Sequence, residues 1–155
     1  MSLKEEDRKV LVTLELEKVK KTFAEMEVQL QNKLWAMAAN RLYFALFHAV
    51  SALLINDQHE VGTHRGAVNK FSLFYVKTGI FSVAEGKLYS HLQKLREDGD
   101  YNCSIDIDEE DIVEKVTPTR MLIDKIVQNI SDKQLGVCSN MKALVPKYKP
   151  ITLED

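Results

Sequence analysis

Ala38-Ala39-Asn40-Arg41-Leu42-Tyr43-Phe44-Ala45-Leu46-Phe47-His48-Ala49-Val50 is apolar around nearly all of a helical wheel, yet it carries an arginine and a histidine. A helix that is apolar all round belongs in a protein interior. The pattern predicts a buried central helix over 32–56, in which the small residues Ala38, Ala45, Ala49 and Ala52 let neighbouring helices come close. Arg41 and His48 are seven positions apart, two turns along nearly the same face. An unpaired buried charge is costly, so Arg41 needs a carboxylate, a carbonyl or a wet cleft. Two readings follow. Either Arg41 pairs with an acid from another helix and His48 is a hydrogen-bonded core histidine, or both face a polar cleft in which arginine holds phosphate and histidine moves a proton. Buried ion pairs are more often architectural, which favours the first.

Outward from this helix, the flanking segments also read as helices. Toward the N-terminus, Val12, Leu16, Val19, Phe23, Met26 and Leu30 alternate at spacings of four and three, an apolar stripe on one face of a long helix. Ser2 and Glu5 have capping-box spacing at its start. Toward the C-terminus, Asp57 to Thr63 reads as a loop, and Thr63 can cap a helix over 64–77 that Thr78-Gly79 stops. Ser82 can open a fourth helix ending near Glu97-Asp98-Gly99. Asp106 or Asp108 can open a fifth, with Ile112, Val116, Ile123, Val127 and Ile130 inside; it is expected to continue, kinked, through Pro118. The fold class is therefore all-α, with about five helices over residues 1–135 and an extended or mobile tail over 136–155, where Pro146 and Pro150 fall.

Composition limits the function. The 155 residues carry a formal net charge of −2, which argues against broad nonspecific nucleic-acid binding, since that needs clustered bases. Charge is unevenly placed, however: residues 41–96 sum to +4 and residues 97–115 to −8. Cys103 and Cys138 have neither metal nor disulfide-framework spacing and read as reduced thiols, as in a cytoplasmic protein. The N-terminal residues lack signal-peptide character, and the nearly uncharged run 42–55 is too short to span a bilayer, so no membrane association is expected.

A second polar cluster stands at 96–101, where Arg96, Asp100 and Tyr101 could join Arg41. A calcium-binding helical module is also weighed. Asp98, Asp100, Asn102, Ser104, Asp106 and Glu109 match ligand positions of a twelve-residue loop, but Cys103 occupies the place that needs glycine. His59 and His64 could touch a metal, but no third ligand is evident. Tyr43, Phe44 and Phe47 read as core packing rather than a base-stacking platform. Neither a metal site nor a cofactor is expected.

The stretch Asn40 to Ala49 resembles the signature helix of HEPN (higher eukaryote and prokaryote nucleotide-binding) domains. His64-Arg65-Gly66, Phe71 to Gly79 and Arg96 to Tyr101 resemble later blocks of that family in the same order, so the resemblance covers roughly residues 33–130. It implies an antiparallel, up-and-down bundle that often dimerises with its polar cleft at or near the dimer interface. Many members are RNA-cleaving toxins or defence proteins, others pair with a small nucleotidyltransferase, and some are noncatalytic. Ribonuclease members carry an arginine followed by a histidine four to six residues on; here Tyr101 follows Arg96 instead. A phenol, with an ordinary pKa of about 10, is a poor base at neutral pH. The resemblance therefore implies a noncatalytic domain that binds a nucleotide, RNA or partner protein, with Arg41 and Arg96 holding phosphate, Asp100 orienting an arginine and Tyr101 stacking or hydrogen-bonding. The alternative is a metal-independent ribonuclease toxin with His48 as acid or base. A homodimer and a nucleotidyltransferase partner are expected on the same ground.

Overall fold

The computed structural model describes residues 3–137, which form five helices and no strand. Helix α1 (Glu5–Gln31) buries Val12, Val19, Phe23 and Met26 and half-buries Leu16 and Leu30, so the predicted stripe is its packed face. Its N-cap is Lys4, which makes no side-chain cap bond; Glu5, Glu6 and Asp7 in the first turn complement the helix dipole instead. Ser2, half of the expected capping box, lies outside the described residues. Helix α2 (Trp35–Asn56) is the central one and packs against every other helix. It is long and apolar enough to cross a bilayer, but Leu42, Leu46, Leu53, Leu54 and the five alanines Ala38, Ala39, Ala45, Ala49 and Ala52 are fully buried in the bundle.

Three helix ends share one device. After α1, Lys33 takes a left-handed backbone (φ 59°), and the Leu34 amide donates to the Gln29 carbonyl. After α2, Gln58 does the same (φ 67°), and the His59 amide donates to Leu54. Such reversals satisfy carbonyls that a helix end leaves free. The third uses Gly79 (φ 83°), where glycine carries no Cβ penalty.

Helix α3 (His64–Phe71) is capped by Thr63, whose hydroxyl accepts from the Gly66 amide at 2.9 Å. It continues as a π-helical turn over Ser72–Val76, in which the Lys77 amide reaches back five residues to Ser72. This turn brings Tyr75 onto Asp57, hydroxyl to carboxylate at 2.6 Å, while Lys133 of the last helix donates to the same oxygen at 2.7 Å.

Helix α4 (Val83–Tyr101) opens with the expected cap at Ser82, elaborated into a reciprocal capping box with Glu85. It ends later than predicted, at Tyr101 rather than near Gly99. At Gly99 the helix passes so close to the following loop that a Cβ would sit 2.6 Å from Ile107 Cδ1. Helix α5 (Glu109–Val137) is one helix through Pro118, as expected. Ile112, Val116, Ile123, Val127 and Ile130 are all buried. It runs two residues past the predicted boundary at 135, and the tail expected beyond it, from residue 138, lies outside the described residues.

Candidate functional site

One face of α2 is only half covered: Asn40, Arg41, Phe44, Phe47 and His48 recur at helical spacing along it and are half-buried. Arg41 donates through Nη1 to Glu25 of α1 at 3.2 Å, and through Nε and Nη2 to its neighbour Asn40 at 3.0 and 2.7 Å. Asn40 in turn donates from Nδ2 to Asp100 of α4 at 2.8 Å. Asp100 faces Arg96 at 3.9 Å, one turn earlier. A continuous polar chain thus runs Glu25–Arg41–Asn40–Asp100–Arg96 across three helices.

Beside it lies an open groove of about 840 Å³ between α1, the start of α2 and the end of α4. Arg41, Asp100 and Tyr101 line it, with the exposed apolar Val28 and Met37 at its rim. Tyr101 is 76% exposed. Arg96 stands behind the groove rather than in it: the residue is 7% exposed, and its guanidinium packs over Tyr43 at 4.9 Å, Phe44 at 5.6 Å and Tyr101 at 5.8 Å. Cation–π contacts strengthen as water is removed. Arg96 Nε has no hydrogen-bond partner. Burial pushes the Tyr43 phenol up to about 12, despite the opposing charge and hydrogen bond of Arg96.

His48 lies farther along α2, outside the groove, where Nδ1 meets Glu15 of α1 at 2.8 Å. A carboxylate at Nδ1 fixes the tautomer and ring orientation. His64, at the start of α3, meets the Tyr43 hydroxyl through Nδ1 at 3.1 Å. Its pKa is lowered by burial first, then by the charges of Arg96 and His48.

Of the five predicted site residues, the fold gathers Arg41, Asp100 and Tyr101 on one groove, sets Arg96 behind them and leaves His48 separate. Arg41 pairs with Glu25 on another helix, while His48 is hydrogen-bonded to Glu15 but half-buried rather than in the core. Glu15, Glu25, Asn40 and His64 were missed as site residues. The two glutamates flank apolar stripe positions, Leu16 and Met26, a faint sign of half-buried charge. Sequence reads His64 as a metal candidate with His59 and as part of a family block, but the two histidines face different rings: His59 stacks on Phe74 at 4.1 Å and His64 is tilted against Phe47 at 4.5 Å. Among the described residues, no group of three His, Cys, Asp or Glu side chains is placed to hold a metal. The calcium-loop reading fails on helix length, because α4 carries Asp98 and Asp100 as helical residues and Asp100 is engaged by Asn40. Tyr43 is core, as expected, while Phe44 and Phe47 keep part of their surface open.

The HEPN domain family model matches residues 13–130, taking in α1 as well as the helices that carried the resemblance. A Thermotoga maritima UPF0332 protein is 33% identical over 103 residues, covering 66% of this chain and 78% of that protein. A Methanocaldococcus jannaschii protein named "Putative toxin MJ0605" is 26% identical over 106 residues, covering 68% of this chain and 78% of its own length. A second from that organism, "Putative toxin MJ0142", is 25% identical over 96 residues, covering 62% and 65%. With the signature helix as its core and the family pattern matched from α1 to α5, this chain belongs to the HEPN domain family.

Proposed function

We propose that this HEPN domain is a noncatalytic binding module of a toxin–antitoxin or defence system, acting in the cytoplasm and taking RNA or a nucleotide along the half-open face of α2. The observation that carries this reading is Arg41. Its guanidinium is held at the groove by Glu25 and Asn40, lies over Phe44 at 5.2 Å, and shares the groove with the exposed ring of Tyr101. A cation beside open aromatic faces suits a phosphate with an adjoining base. In this reading Arg41 contacts phosphate, Tyr101 stacks, Asp100 orients Asn40 and through it Arg41, and buried Arg96 shapes the wall. The names of the two archaeal relatives support the toxin context.

The test is fluorescence anisotropy with a labelled single-stranded RNA and competition by ATP. Arg41→Ala is expected to weaken binding by about tenfold, the scale of one charge-assisted contact. Equal, unmeasurable binding by wild type and variant would sink the proposal. The exposed Val28 and Met37 at the rim also fit a homodimer or a nucleotidyltransferase partner seated beside the groove. Light scattering of wild type against Met37→Glu checks the dimer, with a dimer expected for the former and a monomer for the latter.

The Glu15–His48 contact favours a second reading, a metal-independent ribonuclease toxin, because an oriented imidazole can transfer protons. It predicts growth arrest on expression, abolished by His48→Ala. A harmless wild type that leaves RNA intact would remove it.

A further inference from the structure

Beyond the groove, two imidazoles converge on the same aromatic surface. His48 of α2 and His64 of α3 both lie against Phe47, with ring centroids 5.6 and 4.5 Å away, and against Phe44, at 6.3 and 5.4 Å. Each ring is anchored through Nδ1, His48 by Glu15 and His64 by Tyr43. Among the described residues, neither Nε2 makes a hydrogen bond within the protein. Charged groups of α1, α3 and α4 lie near the pair or next to it in the chain. Glu15 comes from α1, with Lys18 at 3.7 Å from it; Arg65 follows His64 on α3; Arg96 approaches from α4. Burial first, then the nearby Arg96 charge, lowers the His64 pKa, a shift that an anion bound beside the ring would offset. Arg41 and His48 are seven residues apart on α2, about 10 Å along the axis at 1.5 Å per residue.

We infer that His48 and His64 form a second phosphate-holding subsite, with Phe44 and Phe47 as the base platform between it and Arg41, so that a single-stranded RNA lies lengthwise on α2. This deepens the binding reading above and rests on it. Both Nε2 atoms donate to phosphate oxygens when the rings are protonated, and two imidazolium rings add charge to those bonds. Protonation and RNA binding are then linked: binding tightens as pH falls, and bound RNA raises the titration midpoint of each ring.

The experiment measures the affinity of a labelled octauridylate at pH 5.5 and pH 8 for wild type, His48→Gln, His64→Gln and Arg41→Ala. Wild type is expected to gain about tenfold at the lower pH, the equivalent of one pKa unit. Each histidine variant is expected to lose most of that gain. Imidazole carbon NMR on the unmutated protein gives an independent readout, with both midpoints expected to move up when octauridylate saturates. A pH gain that survives in both histidine variants, or midpoints that stay in place, overturns the subsite. Binding that depends on Arg41 but has no pH gain overturns the subsite alone. Absent binding in wild type overturns both the subsite and the groove reading.

Discussion

Two arginines with the same sequence prominence play opposite parts. Arg41 is partly open and donates to side chains that a ligand could replace, whereas Arg96 is buried against three aromatic rings. Replacing Arg41 with alanine is expected to alter binding and leave the melting temperature nearly unchanged. Arg96→Ala should instead destabilise the fold by about 2 kcal/mol, from lost cation–π and packing contacts; urea denaturation measures this. Glu85 gives a second residue-scale expectation. Burial raises its pKa, but Lys125 and Ser82 together outweigh that and hold it below the ordinary carboxylate value. A depressed folded-state pKa stabilises the protein above the unfolded value of about 4.3 and ceases to do so as pH falls through the folded value. Wild type should therefore lose stability relative to Glu85→Gln as pH falls below about 4.3, and thermal melts of both across the acid range show whether the two curves converge. Sequence exposed Arg41, His48, Arg96, Asp100 and Tyr101 because polar residues on apolar helices stand out. It hid Glu15, Glu25 and Asn40, whose importance comes only from what faces them across a helix interface.

At the scale of elements, local chemistry was highly readable where a single side chain closes a helix. Thr63 and Ser82 cap where their hydroxyls predicted. The later end of α4 was not readable, because Gly99 looked like a stop signal and serves as a close-packing position against Ile107. The ends after α1 and α2 were also obscure, since Lys33 and Gln58 are not residues that announce a left-handed turn. Both carry the cost of a Cβ in that conformation, so Lys33→Gly and Gln58→Gly should each stabilise the protein by roughly 0.5–1 kcal/mol. Chemical denaturation of the two variants checks this; unchanged or lower midpoints in both would contradict it.

Across the whole molecule, the apolar run 38–50 does organise the fold: α2 touches all the other helices, and part of α2 is left uncovered on the Arg41–His48 face. All-α class and helix order followed from periodicity. The groove did not, because it forms where the end of α4 meets the start of α2, some sixty residues away, and no local pattern encodes that meeting. The Asp57–Tyr75–Lys133 contact is equally nonlocal and joins the end of α2, the π-helical turn and α5.

That π-helical turn can be counted as an α-helix holding one surplus residue. The extra residue is taken up within the turn, so the winding before and after it stays in phase. Deleting Leu73, which is exposed, is expected to let the turn close as an ordinary α-helical turn while Phe71 before it and Phe81 after it keep their places in the core. The deletion should retain helical circular dichroism and cost less than about 2 kcal/mol in urea denaturation; a larger loss, the scale of a lost buried aromatic contact, would contradict it. The turn is thus a splice: it stores one residue without disturbing the packing on either side.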